Sequence, residues 1–196
     1  MSDFIIYLHL GFRHIIDIYG ADHILFIFAL SMRYLFQDWK RVLILVTAFT
    51  IGHSITLALS TLQWVDFPVA VIELLIPITI LITAINNFTV HQKVTKSKYP
   101  VIYFFAMGFG LIHGLGFSNY LKSLLGKEES ILGPLFAFNV GLEIGQLLIV
   151  CFVLVISFIF VTRIKVNRVL YIKIGSLLVL LFSLNMIWER IQTFIH

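Results

Sequence analysis

His14, His23, His53 and His113 lie inside or at the edge of long apolar runs, together with Asp17, Asp22, Glu73, Asn139 and Glu143. An ionisable side chain at bilayer depth is costly, and each one marks a candidate functional site. Imidazole and carboxylate together form the donor set of a divalent transition metal such as zinc, nickel, cobalt or iron. The plainer alternative is structural. A lone intramembrane histidine or asparagine often only hydrogen-bonds a neighbouring helix. Glu73 and Glu143 are harder to explain that way, because a buried carboxylate needs a proton, a cation or a salt bridge. His9, His91 and His196 fall in a terminal segment, a basic loop and the tail, and are set aside.

The elements that carry these side chains must be membrane helices. The chain has 196 residues, 60% hydrophobic and 12% charged, against roughly 25% charged in soluble domains. A single polytopic membrane domain over residues 1–196 is expected, with no room for a separate soluble unit. The net charge of +4 raises nucleic acid as a partner, but the basic residues cluster in short loops between apolar runs. The positive-inside rule accounts for them, so the lipid bilayer and not nucleic acid is the expected partner. Cys151 is the one cysteine. It excludes an intrachain disulfide and a multi-thiolate metal site, and the lack of thiols argues against a copper(I) path.

Six runs approach the roughly 20 residues that a spanning helix needs. They are Ala21–Leu35, Val42–Leu62, Pro68–Phe88, Pro100–Leu121, Ile131–Val161 and Val169–Ile191. Asp3–Gly20 is either an interfacial half-helix or the first half of a broken first span, interrupted at Gly20. Pro77 predicts a kink one turn after Glu73. Arg33, Lys40 and Arg41, then Lys93, Lys96 and Lys98, then Arg163, Lys165 and Arg168 fill alternate connections. That alternation predicts an all-α integral membrane protein of the cell (inner or plasma) membrane. It has six transmembrane helices, an N-terminal half-helix and both termini outside.

This topology places the polar residues at a common depth. His53 falls about nine residues, roughly 14 Å, below the outer end of its span. Glu73, His113, Asn139 and Glu143 lie about five to twelve residues below theirs, and His14, Asp17, Asp22 and His23 sit at the outer start of the first. Asn139, Glu143 and Gln146 share one helical face, and so do His14 and Asp17. Asp22 and His23 are adjacent and cannot share a face, so one binds an ion while the other orients a ligand. Gly110 and Gly114, and Gly141 and Gly145, have the small-xxx-small spacing of close helix contacts. Direct packing of the fourth span on the fifth, with His113 and Glu143 near the contact, is the expectation.

The order of local motifs resembles a known family. Residues 11–26, from Gly11-Phe12-Arg13-His14 through Gly20-Ala21-Asp22-His23, resemble the opening motif of the HupE/UreJ membrane proteins, type-two branch. Ile15 stands where the better-known branch carries a proline. Thr47–Leu57 with Gly52-His53, Glu73 with Asn86-Asn87, Phe109–Phe117 with His113-Gly114, and Phe138–Gln146 with Asn139 and Glu143 continue the match. The resemblance implies nickel or cobalt supply and a permease-like role.

Together these readings favour a divalent transition-metal permease carrying nickel, cobalt or zinc. The expected ligands are His14, Asp17, Asp22, His23, His53, Glu73, His113, Asn139 and Glu143, and the oligomeric state, homo-oligomer included, stays open. A second reading is an intramembrane metal-dependent hydrolase, with three protein ligands, a metal-bound water and a carboxylate base. A third is a metal-sensing or accessory membrane subunit. A polar path continuing inward past His53 favours transport, whereas a closed site with lateral lipid access favours an enzyme.

Overall fold

The computed structural model describes residues 3–18, 20–88, 101–125 and 131–195, and every regular element in them is helical. His91, His196, the Lys93–Lys98 loop and the segment 126–130 lie outside the described residues. The helices are α1 (Asp3–Ile16), α2 (Asp22–Ser31), α3 (Trp39–Thr61), α4 (Val69–Asn87), α5 (Val101–Leu125), α6 (Leu132–Ser157) and α7 (Arg168–Ile195). A 3-10 turn, Phe36–Asp38, leads into α3, and a π-helical turn, Phe158–Arg163, ends α6. Four stretches are long and apolar enough to cross a membrane: Phe36–Thr61, Val69–Asn87, Leu132–Arg163 and Arg168–Thr193. The chain is an all-α membrane protein.

The expected first span is not one continuous helix. α2 has 10 residues and so measures roughly 15 Å, half the hydrocarbon thickness. It is preceded by α1, a separate helix of 14 residues. Side-chain contacts fix how the two relate. Phe4 meets Phe136, Gly11 meets Phe138, and Gly145 meets Ile15. The contacts advance in step, so α1 runs parallel to α6. On α2, Asp22 and His23 line one cavity with Glu73 and Pro77, and Ala29 accepts a bond from Asn87. α2 is therefore parallel to α4.

The remaining directions close the set. Gly52 meets Met107 and Gly114 meets His53, which makes α3 parallel to α5. Ser54 bonds Asn139 and Thr47 bonds Glu143, which sets α3 against α6. Thr79 meets His113, while Thr83 and Asn87 face Ile102 and Ala106, which sets α4 against α5. Thus α1, α2, α4 and α6 all run one way. α1 and α2 are two halves of an interrupted path, with the break between Ile16 and Asp22. One end of the bundle carries the start of α1, the end of α3 and the start of α4, and the break lies between the two ends, where Ile15 meets Gly145. The other carries Arg33 and Arg168, whose guanidinium donates to the Arg33 carbonyl at 2.6 Å.

Lipid tails are as apolar as leucine, so close packing and polar contacts hold such helices together. Glycine supplies the closeness here, though not between the expected partners. A methyl on Gly52 or Gly110 would run into the carbonyl of Met107 or Phe49, which defines an α3–α5 seam. A methyl on Gly11 or Gly141 would run into the carbonyl of Phe138 or Leu8, which defines an α1–α6 seam. The expectation that Gly110/Gly114 packs on Gly141/Gly145 is therefore corrected. Small-residue spacing shows that a face is flat without naming the helix that covers it.

Candidate metal centre

Four histidines reach one point from four elements. His14 comes from the last turn of α1 and His23 from the first turn of α2. His53 follows Gly52 in mid-α3, and His113 precedes Gly114 in mid-α5, so both stand on the α3–α5 seam. The His14 and His23 ring centroids are 4.6 Å apart, His23 and His113 5.0 Å, His23 and His53 5.9 Å, and His14 and His53 6.1 Å. His23, His53 and His113 are buried, at 3%, 0% and 1% exposure, out of reach of bulk water. Phe26, Phe49 and Phe138 close around them and are themselves buried. Phe117 lies against His14, with ring centroids 3.9 Å apart.

Hydrogen bonding decides which nitrogen each ring presents. The Asp22 carboxylate accepts from the His23 backbone N–H at 2.9 Å and lies 3.0 Å from His23 Nδ1. A carboxylate only accepts, so the proton sits on Nδ1 and the Nε2 lone pair faces the cluster. His113 works the other way round. The Thr79 hydroxyl donates to the Ile76 carbonyl at 2.7 Å. Its oxygen is 3.2 Å from His113 Nε2 and must accept there, which leaves the Nδ1 lone pair free. Asp22 and Thr79 thus orient two imidazoles, as partners of metal-binding histidines do.

Five imidazole nitrogens in this cluster are buried without a hydrogen-bond partner: His14 Nε2, His23 Nε2, both nitrogens of His53, and His113 Nδ1. Unsatisfied buried polar atoms cost roughly 1–3 kcal/mol each, and native structures hold few of them. Each of the four rings has one lone pair to turn to a positively charged ligand, and the second His53 nitrogen carries that ring's proton. The donor atoms of His14, His23 and His53 lie within 4.8 Å of one another, and so do those of Asp22, His23 and His113. Two nitrogens on one ion at about 2.1 Å each are at most about 4.2 Å apart. Small side-chain movements would close either triad, and His23 belongs to both.

The electrostatics of the break favour a cation as well. The last carbonyls of α1 bring the negative end of its dipole to the break, and the Asp22 carboxylate, in the first turn of α2, offsets the positive end of that helix. Interrupted helices in transporters place backbone ends at an ion in this fashion.

The other expected ligands fall elsewhere. Asp17 and Glu73 line a cavity of about 170 Å³ beside the cluster, with Gly20, His113 and Arg190. Glu73 is held by Arg190 at 3.2 Å, and both are partly exposed. Asn139 and Glu143 belong to a separate ladder between α3 and α6. There Ser54 donates to Asn139 at 2.7 Å, Thr50 to Gln146 at 2.6 Å and Thr47 to Glu143 at 2.8 Å. Sequence reasoning missed Thr79 as the orienting group and Arg190 as the partner of Glu73. Thr79, Thr83 and Asn87 recur every four residues along α4, a polar stripe in an otherwise apolar helix and a signal open to reading.

Fold and site together define a polytopic membrane protein with a histidine-rich centre at a helix break. A family model described as HupE / UreJ protein matches residues 1–190, and the chain belongs to that family. No curated protein and no solved structure matches it.

Proposed function

We propose that the chain is a divalent transition-metal permease of the cell membrane, with nickel or cobalt as cargo. The observation that carries this reading is the convergence of four imidazoles, each with an unpartnered buried ring nitrogen, from four helices. In this reading His14, His23, His53 and His113 bind the ion, Asp22 orients His23, and Asp17 and Glu73 line the approach from outside. Six spans, the first of them interrupted, put the approach cavity outside and the basic loops inside. Imidazole binds nickel, cobalt and zinc alike. The association of the HupE/UreJ family with nickel and cobalt supply narrows the choice.

The cavity beside the cluster keeps the hydrolase reading in play, because it sets the Glu73 carboxylate near a candidate metal. The test pairs metal analysis of purified protein with cobalt(II) uptake into proteoliposomes. Uptake that saturates and disappears in His23→Ala is expected. Protein that binds one metal tightly yet moves none, under either a gradient or a potential, would turn the assignment to catalysis or sensing.

A further inference from the structure

A second cavity, of about 390 Å³, lies at the basic end of the same three helices that wall the first. The first is bounded by Asp22 and His23 of α2, Glu73 and Pro77 of α4, and His113 of α5. The second is bounded by Leu30 and Arg33 at the end of α2, Thr83 and Asn87 of α4, and Ala106 and Phe109 of α5. We infer that the ion leaves the histidine centre along α4, past Thr79 and Thr83, and exits through this second cavity with the Asn87 carbonyl oxygen as its last protein ligand. The inference rests on the permease reading.

Two observations support the route. The stripe is continuous with the centre, because Thr79 holds His113 Nε2 and the Thr83 hydroxyl donates to the Thr79 carbonyl at 2.9 Å. Each hydroxyl proton is thus spent within α4, and the oxygen lone pairs are what the stripe offers. Asn87 is fully buried, and its amide donates to the Ala29 carbonyl at 2.8 Å. Its Oδ1 has no partner. Phe26 closes the route in this conformation. It lies 5.4 Å from the His113 ring and 5.7 Å from Phe109, which lines the second cavity. Arg33 at the mouth disfavours a resident cation, so the exit is a point of weak binding and quick release.

The α3–α6 ladder is the competing route, and its chemistry is less suited. Its hydroxyls are each committed across the gap to Asn139, Glu143 or Gln146. Its fully buried unpartnered atom among the described residues is Gln146 Nε2, a donor that repels cations, where Asn87 offers an acceptor.

The test uses full-length protein in proteoliposomes with cobalt(II) as the probe. Thr83→Val keeps shape and removes the oxygen, and Asn87→Leu removes the carbonyl. Cobalt flux should fall about tenfold or more in each, an effect on the scale of one lost polar contact in a dry path. Cobalt binding by the detergent-solubilised variants reports that the centre is still folded. Thr50→Val, in the ladder, should carry flux near the wild-type rate. Wild-type flux in Thr83→Val and Asn87→Leu would overturn the route and leave the permease reading standing. No flux in the wild type would overturn both. A second readout does not depend on flux. Thr83→Cys in a Cys151→Ser background should react with a membrane-impermeant thiol reagent added from the basic side. Failure to react would mean that lipid rather than water fills the cavity, and that result also overturns the route.

Discussion

Two groups of buried polar side chains meet on α3 and differ in how well they are satisfied. In the ladder facing α6, Thr47, Thr50 and Ser54 each donate to a partner at 2.6–2.8 Å. In the centre, reached from the same helix by His53, five ring nitrogens have none. The ladder is helix–helix adhesion, in which each interhelical bond between side chains is worth about 0.6 kcal/mol on average. The centre looks like a cost when taken alone. Buried polar groups therefore need sorting by their unmet valence, and their number by itself says little about function. The two regions also cooperate. The ladder and the α3–α5 glycine seam fix α3 from two sides, and His53 is held where the other rings arrive.

The comparison breaks most clearly at His53 and at His23. Either one replaced by alanine should lower cobalt or nickel affinity by about 100-fold or more, since each truncation removes a ligand and loosens the rest. Isothermal titration of purified protein checks this, with Thr50→Val as the contrast that leaves binding near wild type. Metal-free stability should move in the opposite sense. His53→Leu removes two unmet polar atoms and should raise the melting temperature of the metal-free protein. Thr50→Val strands Gln146 and should lower stability by about 1–3 kcal/mol. Equal destabilisation in both would mean that the centre is a structural network after all.

The seam that positions the centre is next in size. Gly110→Ala drives a methyl into the Phe49 carbonyl, and overpacking of this kind costs roughly 1–3 kcal/mol. Part of that cost should appear as lost metal affinity, because α3 and α5 must separate and His53 and His113 move with them. Gly108→Ala has open space around it and should leave both stability and binding unchanged. Thermal unfolding and titration of the two variants side by side test the pair.

Much of this was legible in the chain itself. His14, His23, His53 and His113 could be singled out because ionisable side chains in apolar runs are rare, and Asp22 could be read as an orienting neighbour of His23 because adjacent residues diverge. Glu143 and Asn139 could not be separated from the ligands. They share the expected depth, and only the side chains opposite them, Thr47 and Ser54, show that each meets a hydroxyl of α3 rather than a histidine. Helix neighbours were equally hidden. Gly141 announces a close approach, but nothing local says that Leu8 of α1 rather than Gly110 of α5 makes it. The break before α2 was signalled by Gly20, yet its direction follows only from contacts spread along α4 and α6.

The pH dependence of binding gives a more moderate and graded test. Metal and proton compete for the same lone pairs, so neutral imidazole binds and imidazolium does not. Affinity should hold above neutrality and fall as the solution is made acidic, by up to about tenfold per unit once a ring must lose a proton to bind. A steep dependence would mean that several rings bind together. The ladder contains no histidine, and Thr50→Val should leave the shape of the curve unchanged.

The smallest effect is expected where the sequence pointed to a ligand and the structure gives it a salt bridge. Glu73 and Arg190 are 3.2 Å apart, with 39% and 45% of their side chains exposed, and exposed pairs of this kind contribute about 0–1 kcal/mol. Glu73→Gln should therefore change the melting temperature little. Its effect belongs at the approach cavity, where the carboxylate attracts a cation and Arg190 partly cancels that attraction. Loss of the carboxylate alone should slow cobalt association a few-fold at low salt, and the difference should fade near physiological ionic strength, where charges more than about 8 Å apart are screened. Arg190→Gln should shift the rate the other way by freeing Glu73. If Glu73→Gln instead abolished binding as fully as His23→Ala, Glu73 would have to leave Arg190 and swing onto the ion. The boundary between centre and approach would then move one residue inward.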